Sequence, residues 1–114
     1  MWVFTKHGFL SIVQHKDIED VFQVKGRNPE PLLELFPEYE LIIIDWADYR
    51  YRIEAQKEEV IRVMSELTQD VDYTNFKNEC YGEDYYHHAL VHIWNIMYGF
   101  QSRKLDMEFI NRED

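Results

Sequence analysis

Asp84, His88 and His92 stand four residues apart, so on a helix they share one face. Two imidazoles spaced this way can hold a metal ion between them, and the carboxylate can add an oxygen. No glutamate follows the first histidine of the pair, so this is not the His-Glu-x-x-His arrangement of metalloproteases. The set also falls short of the ligands of a stable site, and a solvated polar face is the plainer use of it. His87 lies on an adjacent face and does not complete it.

Arg50 and Arg52 alternate along a strand with Glu54, and Arg27 closes an earlier strand. Guanidinium groups on one sheet face can clamp a carboxylate or phosphate in bidentate fashion. The competing use is a set of surface salt bridges to the chain's many acids. Asp72, Tyr73, Asn75 and Lys77 form the most compact polar cluster, and capping of a short helix anchored by Phe76 accounts for it equally well. The one cysteine, Cys80, has Glu79 and Glu83 as neighbours, which raise rather than lower a thiol pKa. A nucleophilic cysteine is therefore not expected. With no Gly-rich phosphate loop and no paired-cysteine zinc pattern, no cofactor is expected either.

The elements that would position these groups follow from periodicity. Ala47 to Ala55 alternates, with Tyr49, Tyr51, Ile53 and Ala55 on one side and Arg50, Arg52 and Glu54 on the other. Leu41 to Ile44 is an apolar run suited to a strand buried on both faces, and the two are expected as neighbours in mid-sheet. Residues 2–15 read as a strand bent or broken at Gly8, and Val21 to Lys25 as its hairpin partner. Asn28 and Pro29 signal the start of a short helix carrying Leu32, Leu33, Leu35 and Phe36. Lys57 to Val71 has a broad apolar face of Val60, Ile61, Val63, Met64, Leu67 and Val71. Tyr85 to Gln101 repeats Tyr86, Leu90, Ile93, Met97 and Phe100 at helical spacing. The expected fold is α+β: a mostly antiparallel four-stranded sheet, ferredoxin-like in its middle portion, with helices packed on one face. Residues 1–101 make the single domain, and 102–114 a polar C-terminal tail.

A length of 114 residues, 46% hydrophobic and 16% aromatic, suits one globular domain and excludes a disordered chain. The net charge is -10, and residues 28–84 carry all of it, with 15 acids against 5 bases. Such a surface repels phosphate backbones, so direct nucleic-acid binding is disfavoured. The start of the chain lacks the basic-then-apolar pattern of a secretory signal, no run of about 18 apolar residues would span a membrane, and a lone cysteine asks for no oxidising compartment. A cytoplasmic protein is the expectation.

Four segments taken together carry a resemblance: Phe9-Leu10-Ser11-Ile12-Val13-Gln14, Asp48-Tyr49-Arg50-Tyr51-Arg52, Asp72-Tyr73-Thr74-Asn75-Phe76-Lys77 and Ile93-Trp94-Asn95-Ile96-Met97-Tyr98. This combination resembles a group of small uncharacterised bacterial proteins with a Phe-Ser-Ile-Val-Gln strand, an Asp-Tyr-Arg-Tyr-Arg strand, an Asp-Tyr-x-Asn-Phe-Lys element and a final Trp-containing helix. The resemblance spans roughly residues 2–101 and implies no activity.

Without a convincing catalytic constellation, the leading expectation is a non-enzymatic protein-binding or regulatory module. One version is an inhibitor whose acidic face mimics a nucleic acid and docks on a basic partner; it requires contiguous carboxylates on one side. The alternative is a small enzyme or anion-ligand-binding protein built on Arg27, Arg50 and Arg52; it requires these to converge on a concave site. An exposed edge strand at either end of the sheet offers a route to a homodimer.

Overall fold

The computed structural model describes the backbone of residues 1–82 and 84–113, with side chains over 1–82 and 85–103. It divides into two compact units, Met1–Asp72 and Tyr73–Asp114.

The first unit is α+β. Its strands are β1 (Trp2–Thr5), β2 (Gly8–Gln14), β3 (Val21–Gly26), β4 (Ile42–Ile43) and β5 (Tyr51–Gln56), and its helices are α1 (Glu30–Leu35) and α2 (Lys57–Gln69). The sheet has five strands rather than the expected four, in the order β1-β2-β3-β5-β4 with every neighbouring pair antiparallel. The extra strand arises because residues 2–15 fold back on themselves. Thr5 pairs with Gly8 across a two-residue turn, and Thr5 Oγ1 accepts the His7 amide at 3.1 Å and donates to the Gly8 carbonyl at 2.8 Å. Gly8 has φ 139°, and a Cβ there would sit 2.9 Å from Pro31 Cγ of α1. Only glycine gives both the turn and the close approach of helix to sheet.

The Leu41–Ile44 and Ala47–Ala55 stretches are indeed neighbours, but not in mid-sheet. β4 is a two-residue edge, and Ile43 is exposed. The centre is β2, β3 and β5. β5 lies between β3 and β4, which α1 joins, so β3-α1-β4-β5 forms a split β-α-β unit.

Alternation then decides burial. Leu10, Ile12, Val24, Ile53 and Ala55 point to one face, and Leu32, Phe36, Val60 and Val63 of the helical layer close over it. Each such side chain contributes roughly 1.5–3 kcal/mol by leaving water. α1 starts one residue later than the sequence signals suggest. Pro29 takes the cap position with helical φ and ψ, and Asn28 does not cap. Leu33 stays exposed, since a helix this short buries one side only.

The second unit is helical: α3 (Phe76–Glu79) and α4 (Asp84–Glu113). Asn75 caps α3; its Oδ1 accepts the Asn78 amide at 3.1 Å. α4 runs on through the stretch 102–113 that composition had set apart as a tail. Among the described residues no helix is long and apolar enough to cross a membrane.

Candidate functional site

Side chains that alternate with the core project from the sheet face turned away from α1 and α2. One cross-strand row on that face reads Trp2, Ser11, Lys25, Arg52, Ile42. Beside it lie Phe4 and Phe9, whose ring centroids are 4.8 Å apart; Trp2 meets Phe9 edge-on at 5.8 Å, and Tyr49 lies 6.3 Å from Phe9. A chain of aromatic rings thus runs along this face into the arginine region.

The three arginines do not form one clamp. Arg27 lies over the Tyr49 ring at 4.2 Å and reaches both the Asp48 carboxylate, at 3.0 Å, and the Asp48 carbonyl, at 2.8 Å. Arg50 stands just before β5, its carbonyl accepting the Ile44 amide at 2.9 Å. It donates to Asp45 at 2.9 Å and lies over Tyr51. Arg52 donates from Nη2 to the Tyr49 carbonyl at 2.9 Å, while its Nε is shut from water with no partner. Arg27 and Arg52 therefore meet at Tyr49, and Arg50 turns elsewhere. Lys25 stands directly opposite Arg52, and among the described residues neither makes an ion pair. Like charges opposed on a sheet repel. Glu54, two residues along β5 from Arg52 on the same face, is taken by His15 at 3.1 Å.

The acidic residues are interleaved with bases. On α2, Arg62 bridges Glu59 and Glu66; its hydrogen bond holds the Glu59 carboxyl below its ordinary value and the guanidinium above its own. Asp45, Asp48 and Glu34 are paired with Arg50, Arg27 and His7. Exposed pairs like these add little to stability, but they break up a continuous negative face.

On the core side, an apolar groove of about 580 Å³ opens between α2 and the sheet, walled by Met1, Ile12, Phe22, Val60, Ile61 and Met64. The apolar character of its walls suits an aliphatic or aromatic group, and no titratable side chain lines it.

In the second unit, the members of the polar cluster do separate things. Asn75 caps α3, Tyr73 packs on the Phe76 ring at 5.9 Å, and Lys77 Nζ sits 4.8 Å from the Trp94 ring centroid. Asp72 ends the first unit. His88 and His92 are brought together, with Nε2 atoms 3.0 Å apart. The Asp84 side chain lies outside the described residues, and among the described residues no group of three potential ligands surrounds a metal position. Cys80 is buried, and burial pushes the neighbouring Tyr86 phenol well above its ordinary value, with Cys80 and Tyr73 adding to the shift.

The largest unanticipated feature is on α4. Trp94, Ile96, Met97, Tyr98 and Phe100 are all exposed by half or more of their surface. Trp94 and Tyr98 stack on each other at 5.5 Å. From Ile93 to Phe100 only Asn95 and Gly99 are not apolar, and they share one face, so apolar side chains cover a broad arc of the helix there rather than a narrow stripe. Tyr85 to Leu105 contains no acid in a chain that has 22. That acid-free run was a readable signal. The aromatic chain at Trp2, Phe4 and Phe9 was readable as well, once the turn at Lys6 and His7 is recognised. Searches against protein-family models, curated proteins and solved structures found no match for this chain.

Proposed function

We propose that this chain is a non-enzymatic protein-binding module, and that the Ile93–Phe100 segment of α4 is what its partner covers. The observation that carries this is the exposure of Trp94, Ile96, Met97, Tyr98 and Phe100 across a broad arc of one helix. Exposed apolar clusters of this kind mark interaction sites. The partner's chemistry follows from the absence of acids between Tyr85 and Leu105 and the presence there of Arg103, Lys104 and three histidines. It is an apolar protein cleft with a neutral or acidic rim. The acidic-mimic version loses support, because arginines interrupt the carboxylates of the first unit. The split β-α-β unit, flanked by β2 on β3 and followed by α2, supports a ferredoxin-like reading of the sheet with its fourth strand supplied from the N-terminal side.

The test is affinity capture of the tagged full chain from its native lysate, in parallel with Ile96→Asp and Phe100→Asp. A stoichiometric, salt-resistant partner retained by the wild type and lost from both variants is expected. Retention by the variants, or no specific partner at all, overturns the reading.

An anion-binding role has one observation behind it, the opposed Lys25 and Arg52. Phosphate or a dicarboxylate should then raise the melting temperature of the wild type but not of Arg52→Gln. Equal shifts in the two would dismiss it.

A further inference from the structure

We propose that β1 is a self-complementary edge through which two copies of this chain pair into one continuous ten-stranded sheet. The inference is independent of the α4 reading above and rests on the parity of the β1 ladder.

Met1 and Ile12 exchange both backbone hydrogen bonds, at 2.7 and 2.8 Å. They are therefore a hydrogen-bonded pair, and such pairs recur at every second residue of an antiparallel ladder. Given the register Trp2↔Ser11, Val3↔Leu10, Phe4↔Phe9, the N–H and C=O of Val3 point to β2, and those of Trp2 and Phe4 point away from it. β1 is the first strand of the sheet order, and among the described residues nothing pairs with that outer side. The strand lacks three of the usual edge protections: Trp2-Val3-Phe4-Thr5 has no charge, no proline and no bulge. Trp2 is 69% exposed.

A second β1 laid antiparallel against this edge has one register that satisfies all four outward groups. Trp2 of one copy pairs with Phe4 of the other, twice, and Val3 faces its own counterpart on the two-fold axis. This is an isologous contact, in which one patch serves both partners. The two Trp2–Phe4 pairs extend the Trp2–Phe9–Phe4 ring cluster across the axis, and aromatic cross-strand pairs are among the stabilising ones. The axis stands perpendicular to the sheet, so both helical layers fall on the same side. The apolar grooves walled by Met1, Ile12 and Phe22 then lie on either side of the axis, and apolar surface there adds to a ladder of only four hydrogen bonds. An interface of this size sits at the weak end of the range, so pairing should depend on concentration.

The experiment is sedimentation of the full chain over a concentration series, with Val3→Lys and Val3→Glu. In the proposed register position 3 lies about 4.5 Å, Cα to Cα, from its own copy. Each variant alone should be a monomer, and an equimolar mixture should form a one-to-one heterodimer. Far-UV circular dichroism checks that each variant is folded. A measurement without variants guards against a folding failure. In the wild type, the Trp2 and Phe4 amides should exchange fast when dilute and slow several-fold when concentrated, while the Val3 amide stays protected throughout. A wild type that remains a monomer up to ~1 mM overturns the proposal. So do homodimers of both charged variants, or a wild-type dimer in which the Trp2 and Phe4 amides still exchange fast.

Discussion

In residues 1–72, nine apolar side chains close into one core from both layers of the fold. In residues 73–114, the buried apolar side chains among those described are Leu90 and Cys80, while five large ones between Trp94 and Phe100 face solvent. Both stretches are rich in hydrophobic residues. They differ in where the partner surface comes from. A sheet and two helices supply it internally in the first unit. A four-residue helix beside a thirty-residue one cannot do so in the second. Apolar content alone therefore says little about stability. What matters is whether the chain itself brings a second layer.

Four substitutions sharpen that contrast. Leu10 is fully buried at the centre of the sheet, so Leu10→Ala should destabilise the first unit by ~2–5 kcal/mol in urea titration. Gly8→Ala should cost about 1–3 kcal/mol, because it strains a glycine-only backbone and drives a methyl group into Pro31; thermal denaturation reads it. The third tests the second unit by pH. Burial keeps the Tyr86 phenol protonated in the fold where the unfolded chain would ionise it. The stabilisation is complete below the ordinary phenol range and is lost as pH rises from there through the raised folded-state value, so above pH ~10 wild type should weaken more than Tyr86→Phe does. The smallest effect belongs to Ile96→Ala, expected within ~0.5 kcal/mol despite the loss of a large apolar group. A cost there comparable to that at Leu10 would erase the contrast between the units.

Much of the first unit was legible because period-two alternation maps directly onto burial. Ile53 and Ala55 are buried and Glu54 is exposed, as the alternation requires. The same pattern failed two residues earlier. β5 begins at Tyr51, so alternation has no meaning across the bend before it. Tyr49 consequently lies under Arg27 beside Phe9, and Arg50 parts company with Arg52. The fifth strand was hidden by its turn, since Thr5-Lys6-His7-Gly8 lacks the Asn-Gly or Asp-Gly signature and relies instead on the Thr5 hydroxyl and a left-handed glycine. On α4 the four-and-three spacing did predict a helix and a buried Leu90, but spacing cannot say how far along a helix a covering layer extends.

The two ends of the sheet are unlike, and this has a consequence for growth. β4 contributes only Ile42 and Ile43, too short a template to recruit another strand, while β1 presents a clean one. A sheet with two good ends polymerises, because every addition exposes a fresh end. With a single competent end, addition terminates itself: once two β1 strands have met, both outer margins of the enlarged sheet are β4. In the proposed pair the blunt margin would act as a chain stopper, confining assembly through this sheet to a closed pair and away from a fibre.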